Sequence, residues 1–570
     1  MQSNPNLPSP AGRVLRGYAP VAILGVLFAL MAATVPSTYS DQGLATTGSG
    51  GGSGSFESGA GSDFDSSGSR GADTTGGASG TADGAAAGGT AGTGAEGATG
   101  GGGGGGGGAG GGGPVAGQQP CADRPTQIPG DPYSPPCFEF TGDNGGATAK
   151  GVTPEEIIVS ARILNEKGFQ QTLATLAGAD IVDGPEDVKR TISALAEYFN
   201  SRMQFYGRQM SIKFYNGKGS GVNELQGAGQ AEAEADAITA AEEIGAFAEL
   251  NAGSAPFADA LARKKVIGFG TPYLSRNWHV ARRPYNWSVA TDCSIIVESV
   301  GEFANQTLAN KPAVFAGAGL KDKPRKVAAF SPENPWYIDC VDQGIAVAES
   351  AGNKIDQRIT YRLDIDSMSN QASSIITKMK SEGITTILCG CDPIMPIFLT
   401  TKAAEQGYNP EWVVAGTALS DIDVVGQLYD QDQWSRAFGV SFLASFLPIE
   451  SGIGYSAYKA VREDEPAFAV EVIYSQMYML ALGIHMAGPN LTPETYEQGM
   501  FAYPGGTGPF GTWGFDSDSY TPTQDYRVIW WDPEAVSLMN GKRGAYIEAY
   551  DGRRFKKGEL PASDQPPVFR

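Results

Sequence analysis

From Gly151 onward, short apolar runs of strand length alternate with segments whose apolar residues recur at helical spacing. The first run, "IIVSARIL", covers residues 157–164 and is typical of a buried strand. The segment after it places apolar side chains along one face of a helix, at Val188, Ile192, Leu195, Phe199 and Met203. The alternation continues to "EWVVAG", which ends at Gly416. It predicts an α/β protein whose parallel sheets carry helices on both faces.

Two such sheets fit the length of this region better than one. A break at "YNWSVATDC", residues 285–293, marks the predicted crossing between them. We therefore predict a first lobe of residues 151–291 and 446–510, and a second lobe of residues 292–445 and 511–570.

The last third of the chain holds a long apolar segment, "AVEVIYSQMYMLALGIHMA". Glu471 and Gln476 interrupt it, so we predict a buried core helix rather than a membrane span. The stretches "GPFGTWGFD" and "DYRVIWWDP" follow it. Their turn residues and alternating apolar residues predict a closing pair of strands.

Residues 1–40 have the charge pattern of a targeting segment. Arg13 and Arg16 precede the apolar run "APVAILGVLFALMAATV", which predicts a cytoplasmic N-terminus and an exported remainder. The run is slightly shorter than the ~20 residues of a spanning helix. It fits a cleaved signal peptide or a retained membrane anchor, and both remain open.

Residues 41–120 are rich in Gly, Ser, Ala and Thr and include nine consecutive glycines at 100–108. Such a sequence buries too little apolar surface to offset its ordering entropy. We predict a disordered tether with a root-mean-square span of roughly 50 Å.

The formal net charge of −21 argues against two classes of partner. An acidic surface repels nucleic acid and anionic lipid, so we predict no nucleic-acid partner and membrane contact only through the N-terminal segment.

The cysteines are even in number, and export permits disulfides. They are Cys121, Cys137, Cys293, Cys340, Cys389 and Cys391. Cys121 and Cys137 flank a Pro-rich loop in the entry segment 121–150, and we predict that they pair. The pairing of the other four is left open. Cys389 and Cys391 lie on the same side of a strand without further ligands nearby, so we predict no metal site.

Several stretches together resemble one family. They are "GVTPEEIIVSA", "NAGSAPFADALARKKVIGFGTPYLS", the run from "KMKSEGITTILCG" to "AGTALSD", and "GPFGTWGFDSDSYTPTQDYRVIWW". In order and spacing the chain resembles the type I periplasmic solute-binding proteins, in particular their leucine/isoleucine/valine-binding branch. The resemblance implies two lobes that close on a small molecule, no cofactor, and delivery to an ABC transporter permease.

The turn "AGS" follows a predicted strand and precedes a predicted helix. Ligands of parallel α/β sheets gather at such strand ends, and a helix N-terminus there favours an anion. Gly253 allows close backbone approach, and Ser254 adds a hydroxyl. The resemblance implies that Ser254 and the loop of residues 271–275 hold a ligand carboxylate. An N-cap role for Ser254 alone, worth ~1 kcal/mol, is the alternative.

In that loop we name Thr271, Tyr273 (through its backbone) and Ser275 as candidate ligand contacts, and Trp278 just beyond it. The second lobe contributes residues that follow predicted strands. They are Trp336, Tyr337, Asp392 and Thr417. Aromatic side chains there would sandwich an apolar or planar ligand, with ordinary loop packing as the alternative.

One position departs from the family pattern. Amino-acid binders of this branch carry an acidic residue in the loop that reads "AGTALSD" here, and the match falls at Thr417. Asp421 and Asp423 follow, but we expect them to begin the next helix. A buried ammonium without an anionic partner is costly. The sequence therefore favours a carboxylate, an amide or an aromatic acid over an α-amino acid.

A serine hydrolase is the enzymatic alternative, with Ser254 as nucleophile and His279 as base. No G-x-S-x-G elbow supports it, and the second histidine, His485, lies on the long apolar helix, so we predict no enzyme. The main prediction is a receptor that captures a small polar or carboxylate-bearing molecule between two closing lobes. A tethered sensor or a structural assembly module on the same fold is the alternative.

Overall fold

A computed structural model describes residues 117–164, 183–444, 449–467 and 469–563. The predicted signal or anchor of residues 1–40, and the predicted tether as far as residue 116, lie outside the described residues. Within the described ranges, no helix is both long and apolar enough to cross a membrane.

The described chain begins with a small antiparallel pair of strands. β1 (Gln118–Pro120) pairs with β2 (Phe138–Phe140), and the disulfide Cys121–Cys137 closes the loop between them. The tether was predicted to extend to residue 120, but residues 118–120 belong to a strand. Backbone pairing with β2, held in place by the adjacent disulfide, orders these residues.

The first lobe is built on a parallel sheet with the strand order β4-β3-β5-β6-β7. Its strands are β3 (Glu156–Ile163), β4 (Gln209–Asn216), β5 (Ala248–Glu249), β6 (Ile267–Phe269) and β7 (Asn286–Trp287). The helices between them are α1 (Pro185–Arg202), α2 (Gly221–Leu225), α3 (Gln230–Ile238), α4 (Ala255–Arg263) and α5 (Arg276–Val280).

Three later helices complete this lobe. They are α12 (Ile453–Lys459), α13 (Val470–Ala487) and α14 (Pro493–Ala502). Helix α13 is the predicted core helix. Its side chains are buried almost all round, among the residues of β3 and α1. A helix that is apolar on every face has to lie inside the protein, which is where it is found.

The second lobe is built on a mixed sheet with the strand order β16-β15-β12-β11-β10-β8-β9. Its strands are β8 (Val327–Pro332), β9 (Ile355–Tyr361), β10 (Thr386–Cys389), β11 (Glu411–Val414), β12 (Ala437–Ser441), β15 (Asp525–Val536), β16 (Arg543–Glu548) and β17 (Arg554–Lys556). The helices are α6 (Cys293–Thr307), α7 (Pro335–Ser350), α8 (Ile365–Glu382), α9 (Met395–Glu405), α10 (Asp423–Gly426) and α11 (Gln431–Trp434).

The edge of this sheet differs from the parallel arrangement that the sequence predicted. Strands β8 to β12 are parallel, but β15 joins β12 antiparallel, and β16 and β17 pair antiparallel with β15. β15 is long, and its first seven residues are buried on both faces, so it enters the sheet as an inner strand. The predicted closing pair does not form. Instead β14 (Gly511–Trp513) pairs with β13 (Gly506–Gly508).

The chain crosses between the lobes in the predicted stretch, since β7 belongs to the first sheet and α6 packs on the second. The return to the second lobe comes later than the predicted residue 511. Phe515 and Tyr520 lie against Trp287 of the first lobe, with ring centroids 5.9 and 4.7 Å apart. These aromatic contacts hold the chain on the first lobe until about β15.

The four cysteines whose pairing the sequence left open form two disulfides in the second lobe. Cys293–Cys340 joins α6 to α7, and Cys389–Cys391 encloses Gly390 at the end of β10. Both lie at the edge of the sheet where the parallel strands end.

We predict that Gly483→Ala destabilises the protein, because a Cβ there would lie 2.1 Å from the ring of Tyr496. Overpacking of this kind costs ~1–3 kcal/mol of unfolding free energy. Gly514→Ala is the matched control, since its Cβ would meet only the side chain of Gln524, at 3.7 Å. Urea denaturation of both variants measures the difference. Equal stability of the two would contradict the packing of α13 on α14.

Candidate functional site

The carboxyl ends of the parallel strands in the two sheets face one cleft, and a cavity of about 100 Å³ lies there. Its wall is almost wholly apolar. The first lobe contributes Tyr273, and the second lobe contributes most of the remaining wall. The second-lobe residues include Cys293, Ile296, Tyr337, Cys340, Leu363, Cys391, Asp392, Thr417 and Ala418.

Tyr273 is where the two lobes meet inside the cavity. Its backbone has φ of 52°, which turns the side chain out of the first lobe and into a buried cluster formed mainly by the second. The backbone of Ala418 hydrogen-bonds to the Tyr273 hydroxyl, and burial raises the pKa of that hydroxyl above its ordinary value. The phenol therefore stays protonated and forms one apolar wall. The sequence proposed a backbone contact for this residue, but the structure places its ring in the cavity.

Four of the ten residues that the sequence proposed as ligand contacts line the cavity: Tyr273, Tyr337, Asp392 and Thr417. The other six do not line it. They are Gly253, Ser254, Thr271, Ser275, Trp278 and Trp336. Their own contacts explain why.

Ser254 is the N-cap of α4, and its Oγ accepts a hydrogen bond from the N–H of Phe257 at 3.3 Å. The same hydroxyl donates to the carboxylate of Glu224. The cap that the sequence offered as the alternative role is therefore present. The carboxylate beside it belongs to the chain itself, and Gly253 leads the backbone into this turn.

Glu224 is held by more than the serine. Arg162, near the end of β3, donates Nη1 to Oε1 at 2.8 Å and Nη2 to Oε2 at 2.9 Å. Asp236 accepts a second hydrogen bond from Nη1 at 3.2 Å. All three side chains are buried. Burial alone lowers the pKa of Arg162, but the nearby carboxylates outweigh it and raise that pKa.

Thr271 and Ser275 hold the loop after β6 in place. Thr271 donates to the carbonyl of Ala252 at 2.6 Å and accepts from Asn286 at 3.1 Å. Ser275 caps α5 by accepting from the N–H of Trp278 at 3.2 Å. Both hydroxyls thus have backbone partners within the first lobe.

The two tryptophans lie outside the cavity. The Trp278 ring lies beneath the guanidinium of Arg282, whose Cζ is 3.9 Å from the ring centroid. Trp336 packs against Gly227, where a Cβ would lie 3.0 Å from the ring. Trp336 thus touches the first lobe at the rim, and its neighbour Tyr337 forms the cavity wall.

The polar residues of the wall turn their polar atoms away from the cavity. Asp392 caps α9 by accepting from the N–H groups of Ile394 at 2.7 Å and Met395 at 3.1 Å, and the hydroxyl of Tyr361 also donates to it. Burial raises the pKa of Asp392. Thr417 donates to the carbonyl of Cys391 at 3.3 Å. These contacts leave carbon and sulfur atoms facing the space.

The apolar side of this site is not visible in the sequence. The disulfide Cys293–Cys340, the sulfur of Cys391 and the side chain of Leu363 form much of the wall. An even number of cysteines indicated disulfides, but no local signal placed them in the cleft. Burial raises the pKa of Tyr337 to about 12, which keeps this aromatic wall uncharged.

The contacts of the two histidines do not support acid–base catalysis at Ser254. His279 is buried with its ring stacked near that of Tyr520, and burial lowers its pKa to about 4. His485 is also buried, with a pKa lowered to about 4, and its Nε2 lies 2.8 Å from the carbonyl of Pro136. The hydroxyl of Ser254 donates to Glu224 and not to an imidazole.

One acidic cluster of the described chain brings Cys121 close to Asp123 and Glu139. The sulfur of Cys121 is bonded to Cys137, so it offers no thiolate to a metal. The disulfide leaves only the two exposed carboxylates of Asp123 and Glu139 in this cluster.

The acidic residues of the "AGTALSD" loop are directed inward. Asp423 begins α10, as expected, and accepts hydrogen bonds from Ser537 at 2.6 Å and from the N–H of Tyr546 at 2.8 Å. Asp421 is buried beneath the loop and does not line the cavity. Burial raises its pKa to about 6, against the opposing effects of Ser441 and Arg527.

Comparisons with known proteins place the chain in a family. Residues 182–536 match the model of the periplasmic binding protein family. None of the curated proteins matches the sequence. Among solved structures, a solute-binding protein of an ABC transporter from R. palustris, in complex with 4-hydroxybenzoate, shares 14% identity with a TM-score of 0.49. That match covers 71% of this chain and 98% of the other.

Two further structures are similar at the same level. The branched-chain amino acid transporter substrate-binding protein LivJ from Streptococcus pneumoniae, in complex with isoleucine, shares 13% identity with a TM-score of 0.46, over 69% of this chain and 100% of the other. A leucine-, isoleucine-, valine-, threonine- and alanine-binding protein from Brucella ovis shares 11% identity with a TM-score of 0.46, over 73% and 99%.

In both lobes the parallel strands end toward the cleft, which is the edge where sheets of this kind bind their ligands. The family match extends over more than half of the chain, and the chain belongs to the periplasmic binding protein family. The predicted family and fold class are thereby confirmed. The family is one of extracytoplasmic solute-binding proteins and not of enzymes.

The buried Asp421 predicts a pH-dependent effect of Asp421→Asn. The folded protein holds this proton more tightly than the unfolded chain, whose pKa is near 3.8, so the buried charge costs stability above about pH 6 and not below pH 4. We expect Asn to stabilise the protein relative to Asp more at pH 8 than at pH 4, by an amount of the order of 3 kcal/mol. Urea denaturation at both values measures this. The same difference at the two pH values would contradict it.

Proposed function

We propose that this protein is an extracytoplasmic receptor that captures a small, largely apolar molecule between its two lobes and delivers it to an ABC transporter permease. The observation that carries the proposal is the apolar cavity at the meeting point of the strand ends. Parallel α/β folds place their ligands at this edge. Disulfides and aromatic rings give the wall few polar groups with which to orient a strongly polar solute.

The size of the cavity limits the ligand. Its volume of about 100 Å³ is of the same order as the ~150 Å³ of a cavity that holds benzene in another protein. We infer a ligand of the order of one aromatic ring, with the Tyr273 ring on one side and the Tyr337 ring on the other. Lobe opening admits the ligand, and closure buries it.

Several contacts of this structure join the lobes across the cleft. Gln226 of the first lobe donates to the carbonyl of Leu363 in the second at 2.8 Å, and the Tyr273 hydroxyl meets the backbone of Ala418. These contacts are compatible with the closed state of such a receptor. In the proposed cycle they break when the ligand enters or leaves.

The N-terminal sequence supports a place at the cell surface. If the apolar segment of residues 1–40 is retained, the tether of residues 41–116 links the lobes to the membrane over a span of roughly 50 Å. The same tether after cleavage would leave a secreted receptor. In both cases the partner is a transporter permease that accepts the released solute.

The binding test uses a panel of small aromatic and aliphatic probes, neutral and acidic, in a thermal-shift assay of the exported, disulfide-bonded protein. A probe at ~100 times its Kd adds ~2.7 kcal/mol to the unfolding free energy and raises the melting temperature. We expect a neutral aromatic probe to bind. Tyr337→Ala should weaken it by ~10-fold or more through the loss of ring contact, and Tyr337→Phe should retain it.

Trp278→Ala is the matched control, because it removes an aromatic ring of the first lobe that lies outside the cavity. Its affinity for the probe should equal that of the wild type. A panel without a single stabilising probe, or a probe whose affinity survives Tyr337→Ala, would contradict binding in this cavity.

A further inference from the structure

The turn that the sequence marked for a ligand carboxylate already holds a carboxylate. It is formed by Arg162, Ser254 and the N-terminus of α4, and these groups are called the acid site below. The carboxylate in it is the side chain of Glu224, supplied by the short helix α2.

The contacts that Glu224 makes are those that a free carboxylate would need. Its carboxylate makes a bidentate contact with the Arg162 guanidinium. It also accepts a hydrogen bond from the hydroxyl of Ser254, at the N-terminus of α4. Charge-assisted pairs of this geometry are among the strongest hydrogen bonds in proteins, and the helix dipole adds to them. Glu224 thus occupies both Nη groups of Arg162, whereas the buried Nε of Arg162 has no hydrogen-bond partner among the described residues.

The charges in the acid site leave no room for a second acid. Arg162 already contacts two carboxyl groups, those of Glu224 and Asp236, and none of the three side chains is exposed. A ligand carboxylate would be a third acidic group in this buried site, where like charges repel one another strongly. Glu224 therefore excludes carboxylates both by occupancy and by charge.

The backbone that carries Glu224 is shaped to place it there. Residues 219–229 form a bridging segment between the lobes. At its start, a Cβ at Gly219 would lie 2.1 Å from Oε1 of Glu224, so glycine permits the close approach. At its end, Gln226 donates to the carbonyl of Leu363, and Gly227 packs on Trp336. Leu363 is itself part of the cavity wall.

The second lobe contains the same chemistry in a different place. Arg325 contacts Glu411 with two hydrogen bonds, Nε to Oε2 at 2.9 Å and Nη2 to Oε1 at 3.0 Å, and Thr386 donates to that carboxylate at 2.7 Å. Glu411 and Thr386 are the first residues of β11 and β10, so this pair lies at the amino ends of the strands. It therefore lies away from the cleft, and it provides a comparison for the acid site.

We propose that Glu224 is a specificity-determining residue of this receptor. It fills the acid site of the first lobe with the chain's own carboxylate, so the cleft admits neutral solutes and rejects carboxylic acids. The inference rests on the proposed function, because it assigns an uncharged molecule as the ligand of the proposed receptor. Its test does not require the natural ligand.

The experiment measures the melting temperature of the exported, oxidised protein with sodium acetate or sodium chloride at equal ionic strength. Glu224→Ala empties the acid site and leaves Arg162 short of a partner. We expect ~100 mM acetate to raise the melting temperature of this variant by ~2 °C or more above chloride, because acetate occupies the vacant site. The wild type and Glu224→Gln, whose sites remain filled, should show no such rise.

Two controls separate acetate binding in the acid site from a general stabilisation of any buried arginine that has lost its carboxylate partner. Glu411→Ala removes the equivalent carboxylate of the second lobe, which lies at the amino end of β11 and not at a helix N-terminus beside Ser254, and this variant should gain less from acetate. Adding Ser254→Ala to Glu224→Ala should reduce the acetate effect. If Glu224→Ala does not fold in chloride, recovery of folded protein in acetate is the same readout.

Three results would overturn the inference. Acetate would raise the melting temperature of the wild type, or it would raise those of Glu224→Ala and Glu411→Ala to the same degree, or it would leave that of Glu224→Ala unchanged. A probe panel that finds no ligand for the wild type would overturn the proposed function but leave the acetate result standing. The two failures are therefore distinguishable.

Discussion

The buried pair of Arg162 and Glu224 is the interaction on which the cleft depends. Arg162 lies near the end of β3, in the middle of the first lobe, and its charge has to be matched because it is removed from water. The chain supplies the match from the bridging segment of residues 219–229, which also contacts the second lobe. This ion pair thus connects the end of β3, the start of α4 and the rim of the cleft.

In the proposed function, this arrangement leaves most of ligand recognition to the second lobe. The first lobe contributes one ring, that of Tyr273, whereas α6, α7 and the loops after β8, β10 and β11 supply most of the wall. The two disulfides there, Cys293–Cys340 and Cys389–Cys391, fix the positions of these elements before any ligand arrives. A wall that is rigid and apolar loses little entropy on binding, which suits a ligand with few polar groups.

Much of the fold could be predicted from the sequence, because strand-length apolar runs and amphipathic segments alternate from residue 157 onward. The antiparallel edge could not, since the apolar pattern of β15 is the same for either strand direction. At the site, Ser254 was correctly placed at a helix start, but its partner Glu224 lies 30 positions earlier on a five-residue helix without a pattern of its own. Long-range polar pairing and disulfide pairing leave no periodic trace, and these two features define the chemistry of the cleft.

The most direct measurement is a crystal structure of the protein with a neutral aromatic ligand bound. The account predicts a ligand ring between Tyr273 and Tyr337, with the Glu224 carboxylate still on Arg162 and Ser254. A ligand whose polar group lies on Ser254, with Glu224 turned away from Arg162, would contradict it.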